Sequence, residues 1–312
     1  MFELLFLGTS ASAPSIKRSL PSLLVQYEEF RYLIDCGEGT QRQILSSGCG
    51  FKRLNKILFT HSHLDHILGV AGLLSTLLRW ENLEAMDLYG GRDTIARIKA
   101  LIYTVVLHPN HVPEFLRFHQ IQPGVLFEEE DFTVHAFPVF HRGSDSFGFR
   151  FERKDRRPFL PEKAEALGIP PGPWRRDLSN GMSALLPDGR TIYPDQVMGE
   201  LVKGEKLVVI GDSGEIESLY SEVEGADALV IEATYLEEEK DLARQYSHLT
   251  ARMAAQLAAD CNVKSLYLTH ISRRYKEKDI LAEAQSIFPN TIIARDLAKY
   301  TIKTGQPPES GS

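Results

Sequence analysis

At 312 residues the chain is long enough for one large α/β domain or two small ones, either with a substantial core. Its 43% hydrophobic and 25% charged residues exclude bulk disorder, and no apolar run approaches the ~20 residues that span a bilayer. The net charge of −7 excludes a protein that coats nucleic acid over its whole surface, while saying nothing of local basic patches. Cys36, Cys49 and Cys261 are too few and too scattered for a disulfide framework or a thiolate zinc site. The chain starts directly on the strand-like Phe2-Glu-Leu-Leu-Phe-Leu7, without a basic leader or a small-residue cleavage site, so a cytoplasmic location is expected.

Period-two and apolar runs predict strands over 2–7, 22–27, 31–35, 56–60, 87–89, 131–140, 146–152, 206–210, 227–232, 265–269 and 291–302. Helical spacing predicts helices over 66–79, 93–105, 250–260 and 277–287. Strands and helices alternate, which points to a layered α/β architecture. The stretch 153–195 breaks that rhythm with Gly168-Ile-Pro-Pro-Gly-Pro173 and Pro187-Asp-Gly189, and reads as a long functional loop. Residues 150–177 also concentrate Arg150, Arg153, Lys154, Arg156, Arg157, Lys163, Arg175 and Arg176. Residues 304–312 read as a solvated, disordered tail.

The most informative phrase is His61-Ser-His63-Leu-Asp65-His66, directly after the apolar run 56–60. Imidazole and carboxylate are the ligands a transition metal takes where no thiolate is offered. An Asp at a helix start also serves as an N-cap, and a His at a strand end as a satisfied polar group. Four such residues at this spacing point to metal instead. His61 and His63 alternate to one side of an extended segment while Asp65 and His66 enter a helix, so two ligand pairs facing different ways suit two ions better than one. Three more polar residues end strand-like runs: His141, Asp212 and His270. That is where an α/β sheet presents ligands to a crevice.

At this point the chain resembles the metallo-β-lactamase superfamily, and within it the short-type ribonuclease Z family of tRNA 3′-processing endonucleases. The likeness runs from near residue 1 to about residue 303. It rests on Phe6-Leu-Gly-Thr-Ser10, Asp35-Cys-Gly-Glu-Gly-Thr-Gln41, the metal motif, Leu167-Gly-Ile-Pro-Pro-Gly-Pro173 and Leu268-Thr-His-Ile-Ser-Arg-Arg-Tyr275, the last two being the more restrictive. The resemblance implies an α/β metallo-β-lactamase fold, a four-layer αββα sandwich over 1–303 with a flexible arm, or exosite, inserted at 153–195. It implies two Zn²⁺ per chain, or Mn²⁺ or another divalent ion in their place: His61, His63 and His141 on one, Asp65, His66 and His270 on the other, and Asp212 bridging. This chain writes Gly211-Asp212-Ser213 where the family usually has Gly-Asp-Thr, which keeps the hydroxyl.

The family likeness further implies that Asp65 is the general base or orients the nucleophilic water, and that His248 protonates the leaving group with Glu232 orienting it. Glu232 can equally be a structural cap or ion-pair partner. Here Leu249 stands in place of the usual serine and Ile231 in place of the usual histidine. His108, His111, His119 and His135 match no family position and read as ordinary histidines. The Gly8–Pro14 phrase and the Gly37–Thr40 loop offer backbone N–H groups to a phosphate, although a turn is the simpler role for Gly37 and Gly39.

The arm's likeness implies a grip on the pre-tRNA elbow through Arg156, Arg157, Lys163, Gly172, Pro173, Arg175 and Arg176, with Arg274 in the body. Basic residues there hold phosphates by shape rather than by sequence. Trp174-Arg-Arg-Asp-Leu-Ser-Asn-Gly181 departs from the family's Lys-rich continuation. A homodimer is also implied. The expected activity is zinc-dependent removal of the 3′ trailer by two-metal hydroxide attack, leaving a 3′-hydroxyl on the tRNA. The alternatives are a hydrolase of small esters on the same fold, of cyclic nucleotide phosphodiesterase or arylsulfatase type, and a non-catalytic RNA-binding subunit.

Overall fold

Strand β1 (Phe2–Gly8) shows how the layers arise: Phe2, Leu4 and Phe6 point to one face and Leu5 and Leu7 to the other, and all are buried. A strand with two buried faces must sit between layers. The computed structural model describes residues 1–79, 85–107, 113–143 and 145–304 and the backbone pairing of Glu309–Ser310. His108 and His111 lie outside the described residues.

After β1 come β2 (Ser22–Tyr27), β3 (Phe30–Ile34), α1 (Thr40–Ser47), β4 (Lys56–Leu58), α2 (Leu64–Ile67), α3 (Gly69–Leu77), β5 (Met86–Gly90), α4 (Arg92–Leu101) and β6 (Leu116–Gln120). Then follow β7 (Gly124–Glu128), β8 (Phe132–Val139) and β9 (Ser146–Arg153). An inserted stretch holds α5 (Pro161–Ala166), α6 (Pro173–Ser179), β10 (Ala184–Leu185) and β11 (Thr191–Ile192). The main body resumes with β12 (Lys206–Val209), α7 (Tyr220–Val223), β13 (Ala228–Glu232), α8 (Lys240–Tyr246), α9 (Ala251–Asp260) and β14 (Leu266–Thr269). It closes with α10 (Glu277–Gln285), β15 (Thr291–Ile293), β16 (Lys299–Ile302) and β17 (Glu309–Ser310).

Two mixed sheets result. One has eight strands in the order β17-β16-β1-β2-β3-β4-β5-β6, the other seven in the order β15-β14-β13-β12-β9-β8-β7. Phe2, Leu4, Phe6 and Tyr32 from the first sheet pack against Phe132, Phe149, Phe151 and Tyr267 from the second. The opposite face of the first sheet, through Leu5, Leu24 and Leu33, packs against Ile44 of α1, Leu73 of α3 and Ile98 of α4. Leu229, Leu266 and Leu268 of the second sheet likewise pack against Leu257 of α9 and Ile280 of α10. These three cores separate four layers, the αββα sandwich expected from the family likeness.

Several local expectations shift. The expected strand over 291–302 is two strands in different sheets, because the chain turns at Arg295–Leu297: Leu297 has φ 67, and Asp296 accepts hydrogen bonds from Thr9 Oγ1 (2.7 Å) and the Ser19 amide (2.6 Å). The expected helix over 66–79 begins earlier, at Leu64, and is interrupted at Leu68. The helix expected over 93–105 is α4, followed by a wider π turn at Ile102–Val106. Glu309–Ser310 pair with Tyr300 and Thr301 inside the expected tail, while 305–308 and 311–312 lie outside the described residues.

The insertion, Arg153–Gly204, is a compact unit of its own. The stretch read as a loop contains α5, α6 and the β10–β11 hairpin around a core of Ala164, Ile169, Leu178, Leu186, Ile192 and Val197. Its glycines place the breaks: Gly172 at φ 125 turns the chain so that Pro173 opens α6 with a φ already suited to a helix.

Candidate metal centre

Strand ends and the loops after them converge on one cluster. His61 and His63 follow β4; Asp65 and His66 lie on α2; His141, Asp212 and His270 follow β8, β12 and β14. His61, His63, His141 and Asp212 have ligand atoms within 4.8 Å of one another, and so do Asp65, His66 and His270. Asp212 faces both groups. Its Oδ2 lies 3.6 Å from His61 Nε2 and 3.8 Å from His141 Nε2, and its Oδ1 lies 3.5 Å from His66 Nε2 and 3.4 Å from His270 Nε2. Asp65 Oδ2 is 3.5 Å from His270 Nε2 and 3.8 Å from His66 Nε2, and His63 Nδ1 is 3.2 Å from His141 Nε2.

Those separations decide what the cluster fits. Most are too long for hydrogen bonds, whereas ligand atoms around a tetrahedral cation with bonds of ~2.0–2.1 Å lie about 3.4 Å apart. His61 Nε2, His66 Nε2 and Asp212 Oδ1 are buried and have no hydrogen-bond partner among the described residues, a costly arrangement unless a cation takes their lone pairs. Burial and neighbouring imidazoles push the pKa of His61 down, and burial, then His141, brings His63 to about 4. Burial also lowers His141, against the pull of Asp212. This triad is therefore neutral, as ligation requires. Burial opposes ionisation of Asp65 and Asp212, but the facing histidines outweigh it and hold both carboxyls below the usual range.

Two parallel relays set the rings. Asp35 takes His66 Nδ1 directly (2.7 Å), and takes Thr60 Oγ1 (2.8 Å), whose oxygen faces His61 Nδ1 (3.0 Å). Glu232 repeats the scheme: it faces His248 Nδ1 directly (2.9 Å) and accepts from Thr234 Oγ1, whose oxygen faces His270 Nδ1 (2.8 Å). Each carboxylate also accepts one backbone amide, Thr60 N on Asp35 (2.8 Å) and Ser213 N on Glu232 (2.7 Å). His141 Nδ1 donates to the Ser247 carbonyl (2.6 Å). With Nδ1 occupied in His61, His66, His141 and His270, Nε2 is the atom turned to Asp212; such outer contacts fix tautomer and ring orientation.

The sequence marks Glu232 but assigns no role to Asp35, Thr60 or Thr234. Asp35 stood in a phrase carrying the family likeness, and its position between an apolar strand and Cys36-Gly37 was the available signal. Gly37 is required by packing: a Cβ there would lie 2.4 Å from the Asp65 carbonyl oxygen. Of the backbone donors proposed for phosphate, Ser12 N is already used, donating to Asp65 Oδ2 (3.1 Å).

His248 sits between α8 and α9, with Nδ1 3.8 Å from Asp212 Oδ2. Burial disfavours its imidazolium, but Glu232 and Asp212 outweigh burial and push its pKa up to about 9. His119 pairs with Asp87 (2.7 Å) and stacks on Tyr89, and His135 lies 3.9 Å from Glu152; both are outside the cluster.

The basic residues fall into two groups. Within the inserted unit, Arg157 pairs with Asp195 and donates to the Gly199 carbonyl, and Arg175 donates twice to the Ile169 carbonyl (3.0 and 2.7 Å). Arg156, Lys163 and Arg176 are exposed, as are Gly172 and Pro173. In the main body Arg274 lies 3.7 Å from Glu239.

Known proteins place this geometry in context. The family model described as anti-Pycsar protein Apyc1 matches residues 2–160, and that of the beta-lactamase superfamily domain matches residues 182–271. A ribonuclease Z of Bradyrhizobium diazoefficiens is 48% identical over 95% of this chain and 98% of its own length. A ribonuclease Z of Archaeoglobus fulgidus is 40% identical over 97% and 98%. The crystal structure of human tRNase Z, short form, superposes with a TM-score of 0.65 at 27% identity, covering 96% of this chain and 99% of that one.

Proposed function

The chain belongs to the ribonuclease Z family, and from that membership and the cluster's geometry we infer a metal-dependent endoribonuclease that removes the 3′ trailer of precursor tRNA, leaving a 3′-hydroxyl. The observation that carries this reading is Asp212, whose two oxygens face two separate groups of imidazole and carboxylate ligands. His61, His63 and His141 would hold one ion and Asp65, His66 and His270 the other, with Asp212 shared. With nitrogen and oxygen donors only and near-tetrahedral spacing, we assign two Zn²⁺. When bound, such a pair lowers the pKa of water and neutralises charge on the phosphoryl oxygens.

The chain's own residues supply the rest. Asp65, half-buried and held as a carboxylate, orients the attacking water and accepts its proton. His248, protonated against Glu232, donates to the departing O3′ of the tRNA. The exposed Arg156, Lys163 and Arg176, the Gly172-Pro173 turn, and Arg157, Arg175 and Arg274 through donors not already engaged, make the tRNA contacts, which fix position without reading bases. We further assign a homodimer acting in the cytoplasm; among the described residues no helix is long and apolar enough to cross a membrane.

The test is cleavage of a 3′-extended pre-tRNA by purified protein with Zn²⁺ or Mn²⁺, mapping the cut and its end groups, alongside metal analysis and sedimentation. A single cut at the trailer junction with a 3′-hydroxyl on the tRNA and two ions per chain is expected. Hydrolysis of small esters with no cut in pre-tRNA would overturn the assignment.

A further inference from the structure

Phe140 follows the last residue of β8 and precedes the ligand His141. The alternation that buries Val139 and His141 turns its ring outward, where it is 52% exposed. Single exposed apolar side chains are ordinary on a protein surface, and this one is set apart by its seat. Three segments that each carry a site residue meet around it.

The Phe140 carbonyl accepts the amide of Gly214, two residues past Asp212 (2.7 Å). A Cβ on Gly214 would lie 3.1 Å from Phe140 Cδ1 and 3.0 Å from Ser247 Cβ, so the ring rests over a bare glycine and beside the residue that precedes His248. Ser247 is itself fixed, since its carbonyl accepts from His141 Nδ1 (2.6 Å) and its φ is 55. Arg142 ties the same two segments together: Nε donates to the Tyr246 carbonyl (2.9 Å), and the guanidinium carbon lies 5.4 Å from the centre of the Tyr246 ring. The ring centres of His141 and His248 are 5.0 Å apart. A flat apolar ring is thus firmly mounted at the rim of the metal cluster, on the side of His248.

This inference rests on the reading of His248 as donor to the departing O3′. The nucleotide that keeps that oxygen then meets the cluster on this side, and its base begins one ribose away from O3′. At a single-stranded 3′ end a base is free to lie on an aromatic face. We propose that Phe140 is the stacking platform for the base of the last nucleotide retained in the product, holding it so that its O3′ stays against His248. Stacking of this kind accepts any base, so the platform registers that a base is present rather than which one it is.

The test compares pre-tRNA carrying either an intact or an abasic nucleotide on the 5′ side of the cut, with metal-loaded full-length protein. Removing the base should lower kcat/KM of the wild type by about five- to a hundredfold. Phe140→Leu, which keeps apolar packing over Gly214 but offers no aromatic face, should lose a similar factor on the intact substrate and less than twofold more on the abasic one. Phe140→Trp should recover most of the loss. The ratio of pre-tRNA cleavage to hydrolysis of methyl p-nitrophenyl phosphate should fall in Phe140→Leu, with metal content unchanged. Losses that multiply instead of overlapping, an equal loss on the small ester, or a shift in sedimentation that makes the ring a contact with a second copy would each overturn the proposal. Equilibrium binding of a short RNA with an intact or abasic 3′-terminal nucleotide gives the same comparison without cleavage. A protein that cuts no pre-tRNA would therefore overturn the reading of His248 while the preference for the intact end, and its loss in Phe140→Leu, still decided the role of Phe140.

Discussion

The metal cluster and the inserted unit use charge in opposite ways. In the cluster Asp35, His61, His66, Asp212, Glu232 and His270 are all buried, and each ring nitrogen turned away from the centre has an oxygen partner. In Arg153–Gly204 Arg156, Lys163 and Arg176 are exposed, while Arg157 and Arg175 are spent on the unit's own carbonyls and carboxylates. Buried charge tolerates no loss of a partner, while exposed charge is screened and replaceable. Substitutions should therefore act steeply in the first region and gradually in the second.

Asp212→Ala is the most severe test of that contrast. It removes the carboxylate facing both ligand groups and leaves His61, His66, His141 and His270 without the acceptor they share. Pre-tRNA cleavage should fall by about 10⁴-fold or more. Metal analysis of the folded variant should give fewer than two ions per chain, and retention of both would remove Asp212 from the bridging position.

His248→Ala should keep the metals and slow cleavage by about 10² to 10⁴. The defect should shrink on an activated nitrophenyl ester, whose leaving group scarcely needs a proton. Glu232→Gln separates orientation from charge. Because Glu232 raises the pKa of His248, and a general acid works only while protonated, activity controlled by His248 falls as pH rises through that pKa. Without the carboxylate the falling limb should move to lower pH. An unchanged alkaline limb in Glu232→Gln would mean that another group sets it.

The same contrast explains what could be read from the chain alone. His61, His63, Asp65 and His66 were legible because four ligands share six residues, β1 and β2 because their apolar runs meet a two-sided core, and β9 because Phe147, Phe149 and Phe151 alternate onto one face. Thr60 and Thr234 were not, since a threonine carries no mark of the imidazole it steadies until a strand end and a distant loop are folded together. The turn at Arg295–Leu297 was hidden for a related reason: apolar residues on both sides continue a strand-like pattern, and the break depends on Asp296 reaching Thr9 and Ser19, nearly 290 positions away for Thr9. Pro and Gly density in the insertion suggested a loop because its core is small and made largely of isolated residues such as Ala164, Ile169 and Leu178.

Excising 155–202 with a short Gly/Ser closure tests the exposed side of the comparison. At roughly 0.5–1 kcal/mol for each exposed phosphate contact, loss of Arg156, Lys163 and Arg176 should raise KM for pre-tRNA by about 10- to 100-fold. The slope of log affinity against log salt should become shallower by about two to three units. Hydrolysis of a small phosphodiester should be unaffected. A folded deletion variant that loses small-ester hydrolysis would assign the insertion to the chemistry itself.

The finest division lies between adjacent residues of α6. Arg176 is exposed and has no side-chain partner among the described residues, so Arg176→Ala should weaken pre-tRNA binding only two- to fivefold and make the salt slope shallower by about one unit, with the unit's own stability unchanged. Arg175 is half-buried and donates twice to the Ile169 carbonyl, joining α6 to the Gly168-Ile-Pro-Pro turn that precedes it. Its loss leaves that carbonyl unpaired and should cost about 1–2 kcal/mol of local stability, read as faster amide exchange and proteolysis within 160–190. Its effect on binding should then be reproduced by Arg175→Gln, which removes the fork as well as the charge, and partly relieved by Arg175→Lys. If Arg175→Ala instead leaves exchange in the unit unchanged while weakening binding as Arg176→Ala does, the two arginines are equivalent phosphate contacts and the distinction between committed and free cations fails.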